Sequence, residues 1–168
     1  MSTDIEALVR RAVAELSSER VPSAKSSRHP IERISLEAAK QLAERVETRA
    51  RELGVRAVVA IADEGGNLKL CECMDDSYLA SRDIAINKAY TSVALKMSTA
   101  SLATLAAPGG PLYGIATTNG GRIVIFGGGD PLTSGGRIVG GIGVSGGSAE
   151  QDTALSLYGK QVFEELFS

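Results

Sequence analysis

The stretch that decides the fold is IVIFGGGDPLTSGGRIVGGIGVSGG, which runs from Ile123 to Gly147. Runs of β-branched residues alternate in it with clusters of glycine, and a Ser-Gly-Gly turn occupies positions 134–136. This pattern predicts short strands joined by tight turns, with the first strand at Ile123–Ile125 and the others on either side of the turn. Glycine also occurs inside the last strand, at Gly140, Gly141 and Gly143. Because glycine weakens a strand interior, its repeated use there predicts that a helix or a ligand lies close against the sheet.

Composition limits the kind of protein that this chain encodes. Its 168 residues suit one domain with an appendage, and 43% hydrophobic residues are enough for a core. The net charge of −2 and a pI of about 5.5 argue against a nucleic-acid-binding protein. We expect neither a membrane span nor a signal peptide, since no apolar run approaches the roughly 20 residues of a span. A disulfide between Cys71 and Cys73 would not cross-link distant parts of the chain, because the two residues are so close in sequence. Free thiols suit a reducing cytoplasm.

The first 18 residues form a candidate docking helix. The segment Thr3–Leu16 begins with a Thr3/Glu6 capping box. Its apolar residues repeat on one helical face, at Ile5, Leu8, Val9, Ala12, Val13 and Leu16. A flexible, serine-rich linker is predicted at 19–34, followed by the main domain at 35–168. A short tethered helix needs a partner, so it folds back on its own domain, joins an oligomer interface or docks on another protein. Its mixed charges disfavour a membrane-surface helix.

The remaining pattern predicts an α+β domain with a mainly antiparallel sheet covered by helices. Its predicted elements are a helix from Ser35 to Leu53, strands at Val55–Ala62 and Leu68–Cys73, a helix from Ser77 to Met97, a short helix from Ser98 to before Pro108, the glycine-rich strands, and a helix from Ser148 to Phe167.

The motifs of this domain resemble those of the GlcG/HbpS-like family, which includes the C-terminal domain of PduO-type proteins. The matching stretches are GGGDPL, GGRIVGGIGVSGG and the following Gln151-Asp152, together with VVAIADEGGNLKLCECMDDSYLAS and INKAYTSVAL upstream. The resemblance covers Ser35 to Phe167 and is specific as an ordered set. It implies a profilin-like α/β/α sandwich that assembles into homo-oligomers.

No familiar catalytic arrangement is apparent in the sequence. A histidine-based triad would need His29, which is the only histidine and lies in the predicted linker. The glycines at 127–129 match neither a dinucleotide-binding fingerprint nor a P-loop. Two thiolates, Cys71 and Cys73, are only half of a structural zinc site, and core filling is the simpler interpretation. Asp152, in the first turn of the last helix, is explained by the helix dipole.

The family resemblance implies haem as the cofactor. By chemistry, His29 is the obvious iron ligand, and it could reach the pocket of a neighbouring subunit; Tyr90, Met74 and Met97 are weaker candidates. The resemblance also implies a polar lining on the long helix and a glycine loop. These predicted cofactor-binding residues are Arg82, Asn87, Lys88, Tyr90, Thr91, Gly128 and Gly129. Arg82 and Lys88 would pair with haem propionates, although a solvated helix face is the alternative. Asp130 stands where the family pattern favours an apolar residue.

Three functions remain open on this sequence. The first is an oligomeric haem- or tetrapyrrole-binding accessory protein. The N-terminal helix resembles the encapsulation peptides of bacterial microcompartment cargo, so residues 1–18 would bind shell or cargo proteins within the cytoplasm. The second is an enzyme acting on a small aldehyde, hydroxy acid or corrinoid metabolite through Lys88 or a cysteine. The third is a structural cargo protein without a small ligand.

Overall fold

The structure, a computed structural model, describes residues 30–167. Within this range the helices are α1 (Leu36–Glu52), α2 (Ser81–Ala94), α3 (Thr99–Leu105) and α4 (Ala149–Phe167). The strands are β1 (Val58–Asp63), β2 (Leu68–Cys73), β3 (Gly129–Ser134) and β4 (Arg137–Ser145). They form one antiparallel sheet in the order β2-β1-β4-β3. The predicted helix at Thr3–Leu16 and the linker up to residue 29 lie outside the described residues.

Helix α1 begins and ends where the sequence predicts. The Ser35 hydroxyl accepts a hydrogen bond from the backbone N–H of Ala38, at 3.1 Å, and so caps the helix. Gly54 follows the helix with a φ of +67°, a conformation that glycine adopts without strain. The face between these ends is apolar and packs against the sheet through Ala39, Leu42, Ala43 and Val46.

Helices cover both faces of the sheet, so the predicted α+β fold, an α/β/α sandwich, is confirmed. One face packs against α1 and α4 in the larger core, which includes Val59, Ile142 and Phe163. The other face packs against α2 in a smaller core built mainly of alanine and valine. Alternate β1 residues belong to the two cores because successive strand side chains point to opposite faces. Because α2 lies so close to the sheet, small side chains fill the space between them and no large aromatic residue is needed in this core.

Glycines in β4 permit this close approach of α2. A Cβ built on Gly141 would lie 2.7 Å from the carbonyl oxygen of Ala89. A Cβ on Gly143 would lie 2.5 Å from the backbone nitrogen of the same alanine. Real Cβ atoms do not tolerate such distances, so these positions exclude any larger residue unless the helix moves. The helix that the strand glycines predict is therefore α2.

The prediction of a strand at Ile123–Ile125 is wrong. These residues have no assigned secondary structure, and the first strand of the glycine-rich stretch is β3. Ile123 and Val124 are buried, and the N–H of Val124 donates to the Thr91 hydroxyl at 3.1 Å. The segment thus packs on α2 rather than in the sheet, because a helix side chain takes the hydrogen bond that a neighbouring strand would make.

Other boundaries also differ from the predictions, since β1 begins at Val58 rather than at Val55. Helix α2 covers only Ser81–Ala94 of the predicted range Ser77–Met97, and the left-handed φ of +56° at Lys96 is incompatible with its continuation. The last predicted linker residues also pack on the domain. Ile34 is fully buried, and its N–H donates to the carbonyl of Val139 at 3.0 Å. The packed chain therefore begins before residue 35.

Asp130 and Pro131 lie in β3 rather than in a loop. The strand is at the sheet edge, where proline is tolerated because it removes no internal ladder bond. Asp130 is buried and accepts a 2.6 Å hydrogen bond from the Ser156 hydroxyl of α4. Burial raises the pKa of Asp130, while the bond to Ser156 and the charge of Lys160 oppose the rise. The unexpected carboxyl thus connects β3 to α4.

Candidate functional site

A buried ion pair joins three elements near the centre of the domain. The Lys88 side chain is 0% exposed, and its Nζ donates to Asp152 Oδ2 and to the carbonyl oxygen of Val144, both at 2.8 Å. The same Nζ lies 4.8 Å from the centre of the Phe126 ring. A lysine ammonium has three donors. Two of them are bonded to oxygen and the third can face the aromatic ring, so the group is fully engaged.

The local chain explains why a charge pair forms here. Lys88 lies on the side of α2 that faces the sheet, and Asp152 lies in the first turn of α4. Asp152 Oδ1 also accepts a 2.9 Å bond from the N–H of Gly147, which fixes the start of α4 to the end of β4. A Cβ on Gly128, whose φ is +111°, would lie 2.7 Å from Lys88 Nζ. Glycine at 128 thus makes room for the ammonium.

The electrostatics of Lys88 are those of a structural group. Burial lowers the pKa of Lys88, and the hydrogen bond and charge of Asp152 oppose that change. Removing two charges from water is costly unless they satisfy each other and their remaining hydrogen bonds. Both conditions hold here, because no buried side-chain nitrogen or oxygen in the described residues lacks a partner. The pair therefore maintains the geometry of α2, β4 and α4, and the ammonium is not presented to solvent as a nucleophile.

An open apolar cavity lies on the outer side of Phe126. Its volume is about 520 Å³, and Phe126 is 42% exposed. We call it the Phe126 groove, and its lining residues are Ala100, Ala103, Phe126, Gly127, Ala149, Glu150, Thr153, Ala154 and Leu157. A smaller cavity of about 290 Å³ shares Phe126 and Ala149 and extends to Ser81 and Asp152. The ring that lies over the buried ammonium therefore lines both cavities.

The predicted binding residues do not form one surface. Arg82 is exposed and pairs with its neighbour Asp83 at 3.2 Å. Thr91 is buried, and its hydroxyl donates to the carbonyl oxygen of Asn87 at 2.7 Å. On α2, Arg82 and Lys88 are separated by about 120° around the axis, since six residues advance the helix by roughly 600°. For Lys88 and Thr91, the alternative of a solvated helix face is therefore wrong.

Tyr90 belongs to a separate polar cluster. The Arg122 guanidinium carbon lies 3.6 Å from the centre of the Tyr90 ring, as in a cation–π contact. The Tyr90 hydroxyl accepts a 3.3 Å bond from the Asn119 side-chain amide. None of these three residues lines the Phe126 groove.

Gly128 and Gly129 face the protein interior in this structure. A Cβ on Gly129 would lie 2.7 Å from the carbonyl oxygen of Lys88, and its N–H donates to the Thr99 hydroxyl at 2.9 Å. Gly127, which precedes them, lines the groove. The glycine loop therefore brings β3 close to α2, and only its first residue borders the cavity.

His29 lies just outside the described residues, but its neighbour Pro30 shows where the chain enters the domain. A Cβ on Gly135 would lie 2.7 Å from Pro30 Cβ, so Pro30 packs on the β3–β4 turn. The Ser134 hydroxyl in the same hairpin donates to the carbonyl oxygen of Phe167, the last residue of α4. The Phe126 groove lies at the other end of α4, and Thr153 is separated from Phe167 by about 21 Å of helix.

Sequence reasoning missed Phe126 and the partner of Lys88. From sequence, the helix dipole alone accounts for Asp152, whereas the structure pairs this carboxylate with Lys88, which lies between Ala85 and Ala89 on the buried face of α2. That small-residue pattern was the available signal, because it predicts that the stretch around Lys88 packs closely. Nothing in the sequence near Phe126 distinguishes a cavity wall from a core residue.

The described residues contain neither a cluster of metal ligands nor a membrane-spanning helix. Among residues 30–167, no group of three or more His, Cys, Asp or Glu side chains is arranged to hold a metal ion. In that part of the chain, the longest apolar helical stretches are too short or too polar to cross a bilayer.

Comparison with known proteins identifies the family. Residues 34–160 match the family model described as haem degrading protein HbpS-like. The chain is 45% identical to a 15.0 kDa protein from the dhaT–dhaS intergenic region of Citrobacter freundii, over 79% of this chain and 94% of that protein. It is 39% identical to the corrinoid adenosyltransferase PduO of the same organism over 78% of the chain, but spans only 39% of PduO.

A solved structure extends this similarity to three dimensions. The crystal structure of a PduOC:haem complex is 37% identical and superposes with a TM-score of 0.74, covering 77% of this chain and 94% of the other. Residues 34–160, which match the family model, contain the sheet, the buried Lys88–Asp152 pair and the Phe126 groove. The chain described here is therefore a member of the HbpS-like family.

Proposed function

We propose that this protein is a haem-binding accessory protein that acts as a homo-oligomer. The observation that carries the proposal is the similarity to the PduOC:haem complex, which extends over most of the described domain. The enzymatic alternative through Lys88 is disfavoured because the ammonium is buried and bonded to Asp152 and Val144.

The Phe126 groove is the part of the surface best suited to haem. A porphyrin is flat and largely apolar, and this groove offers alanine methyl groups, Leu157 and the exposed Phe126 ring. Haem iron also needs an axial ligand, usually histidine, cysteine, methionine or tyrosine. The groove lining contains none of these residues. The residues present thus fit the macrocycle but leave the iron ligand to be supplied from elsewhere.

We assign the axial ligand to His29 of another copy of the chain. Pro30 packs on the β3–β4 turn, roughly 20 Å along α4 from the groove. One additional residue cannot span that distance, since consecutive Cα atoms are 3.8 Å apart. A site shared between two copies would supply the missing axial ligand of the iron and would link haem binding to assembly. Arg82 and Asn87 are absent from the groove lining and make no haem contact there, whereas Lys88, Thr91, Gly128 and Gly129 support the site from within.

Haemin titration monitored by absorption spectroscopy tests this assignment. The wild-type protein should give a saturable Soret shift, and His29→Ala should alter the spectrum because the iron loses its ligand. Ala154→Trp fills the groove from an exposed position and should weaken binding at least about tenfold, which corresponds to roughly 1.4 kcal/mol. Ala107→Trp is the matched control, because Ala107 is exposed outside the groove.

Two outcomes would count against this model. If no saturable shift occurs with the wild-type protein, the haem proposal is wrong. If the shift survives in His29→Ala but changes in Tyr90→Phe, haem is retained and the ligand moves to the Tyr90 cluster.

We further propose that residues 1–18 direct the protein into a bacterial microcompartment in the cytoplasm. The support is the amphipathic pattern of Thr3–Leu16 and its resemblance to encapsulation peptides. Fusing residues 1–18 to a fluorescent protein should concentrate fluorescence in shells when both are produced in the same cells. Val9→Glu places a charge in the apolar face and should return the signal to a diffuse distribution, whereas Arg10→Glu, off that face, should not. A diffuse signal from the unaltered fusion would contradict the proposal.

A further inference from the structure

The two cysteines occupy one face of an edge strand. Cys71 and Cys73 lie in β2, opposite Ala60 and Val58 of β1, and β2 has no neighbour on its other side within the described sheet. Residues two apart on a strand point to the same face. Cys71 packs against the smaller core and is half-buried, whereas Cys73 is exposed. The expectation that both thiols fill the core is therefore wrong for Cys73.

The two thiols interact with each other. Burial, followed by the charge and hydrogen bonding of Cys73, raises the pKa of Cys71 to about 11. The charge of Arg82 opposes this rise in pKa, and the charge of Asp83 adds to it. A half-buried thiol and an exposed thiol thus lie on one face of β2, where Cys71 packs beside the alanines of α2.

This geometry suits a bridging cation better than a disulfide. Cα atoms two apart on a strand are separated by about 6.6 Å. That value is near the upper limit for a disulfide, whose usual separation is about 5.5–6 Å. A cation with two roughly 2.3 Å bonds to sulfur spans about 4.6 Å between the sulfur atoms, so the strand need not bend.

The chemistry of the site selects the type of cation. No third histidine, cysteine or carboxylate in the described part of the chain completes a metal-binding group with these thiols. Met74 packs against the opposite core, and its sulfur accepts a bond from the N–H of Ala57. Zinc in structural sites requires four ligands. Soft thiolate ligands instead favour Cu(I), which accepts two.

We propose that Cys71 and Cys73 bind one Cu(I) ion in a two-coordinate site. Each thiol loses a proton to solvent and forms one sulfur–copper bond, with no change in oxidation state. The resulting bis-thiolate complex carries one negative charge. The site is separate from the Phe126 groove and does not depend on haem.

Anaerobic titration of the reduced full-length protein with Cu(I), against a chromogenic Cu(I) chelator, tests the proposal. The wild type should withdraw one Cu(I) per chain and develop ultraviolet thiolate-to-copper absorption. Cys71→Ser and Cys73→Ser should each weaken binding by more than the roughly 10- to 100-fold caused by losing an outer-shell contact. Circular dichroism establishes that the variants remain folded.

A rearranged variant separates geometry from thiol number. Cys73→Ser combined with Glu72→Cys retains two thiols but places them on opposite faces of β2, because adjacent strand residues alternate. It should bind Cu(I) as weakly as the single-cysteine variants. The proposal would be overturned if this variant bound Cu(I) as tightly as the wild type. It would also be overturned if the Cys71→Ser/Cys73→Ser protein still bound Cu(I), or if the wild type withdrew none from the chelator.

Discussion

Replacing Lys88 with methionine is expected to destabilise the protein by about 3–5 kcal/mol, the usual result of breaking a buried ion pair from one side. Methionine preserves much of the side-chain length but removes the charge that faces Asp152 at 2.8 Å. The Asp152 carboxylate would then be buried without its counter-charge, and the carbonyl of Val144 would lose a donor. The effect should be large because the lysine is 0% exposed and solvent cannot replace it.

Urea unfolding followed by circular dichroism measures this change in free energy. Lys40→Met is the matched control, because Lys40 is an exposed lysine on α1, and it should change stability by no more than about 0.5 kcal/mol. The double variant Lys88→Met/Asp152→Asn should lose less than the sum of the single variants, since neither charge is then left unpaired. If Lys88→Met resembles Lys40→Met, the pair does not hold α2 and α4 together.

Replacing Gly143 with alanine is expected to lower the free energy of unfolding by at least about 3 kcal/mol, the upper range for overpacking a core. The added methyl would meet the carbonyl oxygen of Ala85 and lie 2.5 Å from the backbone nitrogen of Ala89. Both atoms belong to the backbone of α2, so only a shift of the whole helix could relieve the clash. Such a shift would also move Lys88 away from Val144.

Thermal and urea unfolding of Gly143→Ala should be compared with those of Gly65→Ala. Gly65 lies in the β1–β2 turn, and its added methyl would meet the Asn67 side-chain amide, which can rotate away. We expect the control to lose less than about 1 kcal/mol, since flexible surface neighbours adjust at small cost. Equal losses in the two variants would show that the close approach of α2 does not limit residue size at position 143.

Local sequence signals predicted most of the secondary structure. The Ser35 cap and Gly54 stop located α1, and the Gly135-Gly136 turn located the β3–β4 hairpin, because these residues act within a few positions of themselves. The strand expected at Ile123–Ile125 failed for a non-local reason. Its β-branched residues suit a strand, but Thr91 of α2 binds the backbone there instead.

The candidate site was less predictable than the fold. Lys88 was selected through the family resemblance as a ligand contact, yet the structure shows it engaged with Asp152, 64 residues away in sequence. A single aromatic residue beside glycines has no periodic pattern, so the sequence does not predict that Phe126 lines a cavity. The predicted polar lining places Arg82 and Lys88 on one helix face, whereas the structure places Arg82 in solvent and Lys88 in the interior.

The sequence by itself determined the α+β class, the boundaries of most elements and the need for a helix packed against Gly141 and Gly143. These follow from short-range capping, turn geometry and the absence of side chains on glycine. Only the tertiary structure decided that Lys88 is neutralised by Asp152 and that Phe126 forms a groove above the pair. Burial and charge pairing depend on which distant segments meet, and no local pattern contains that information.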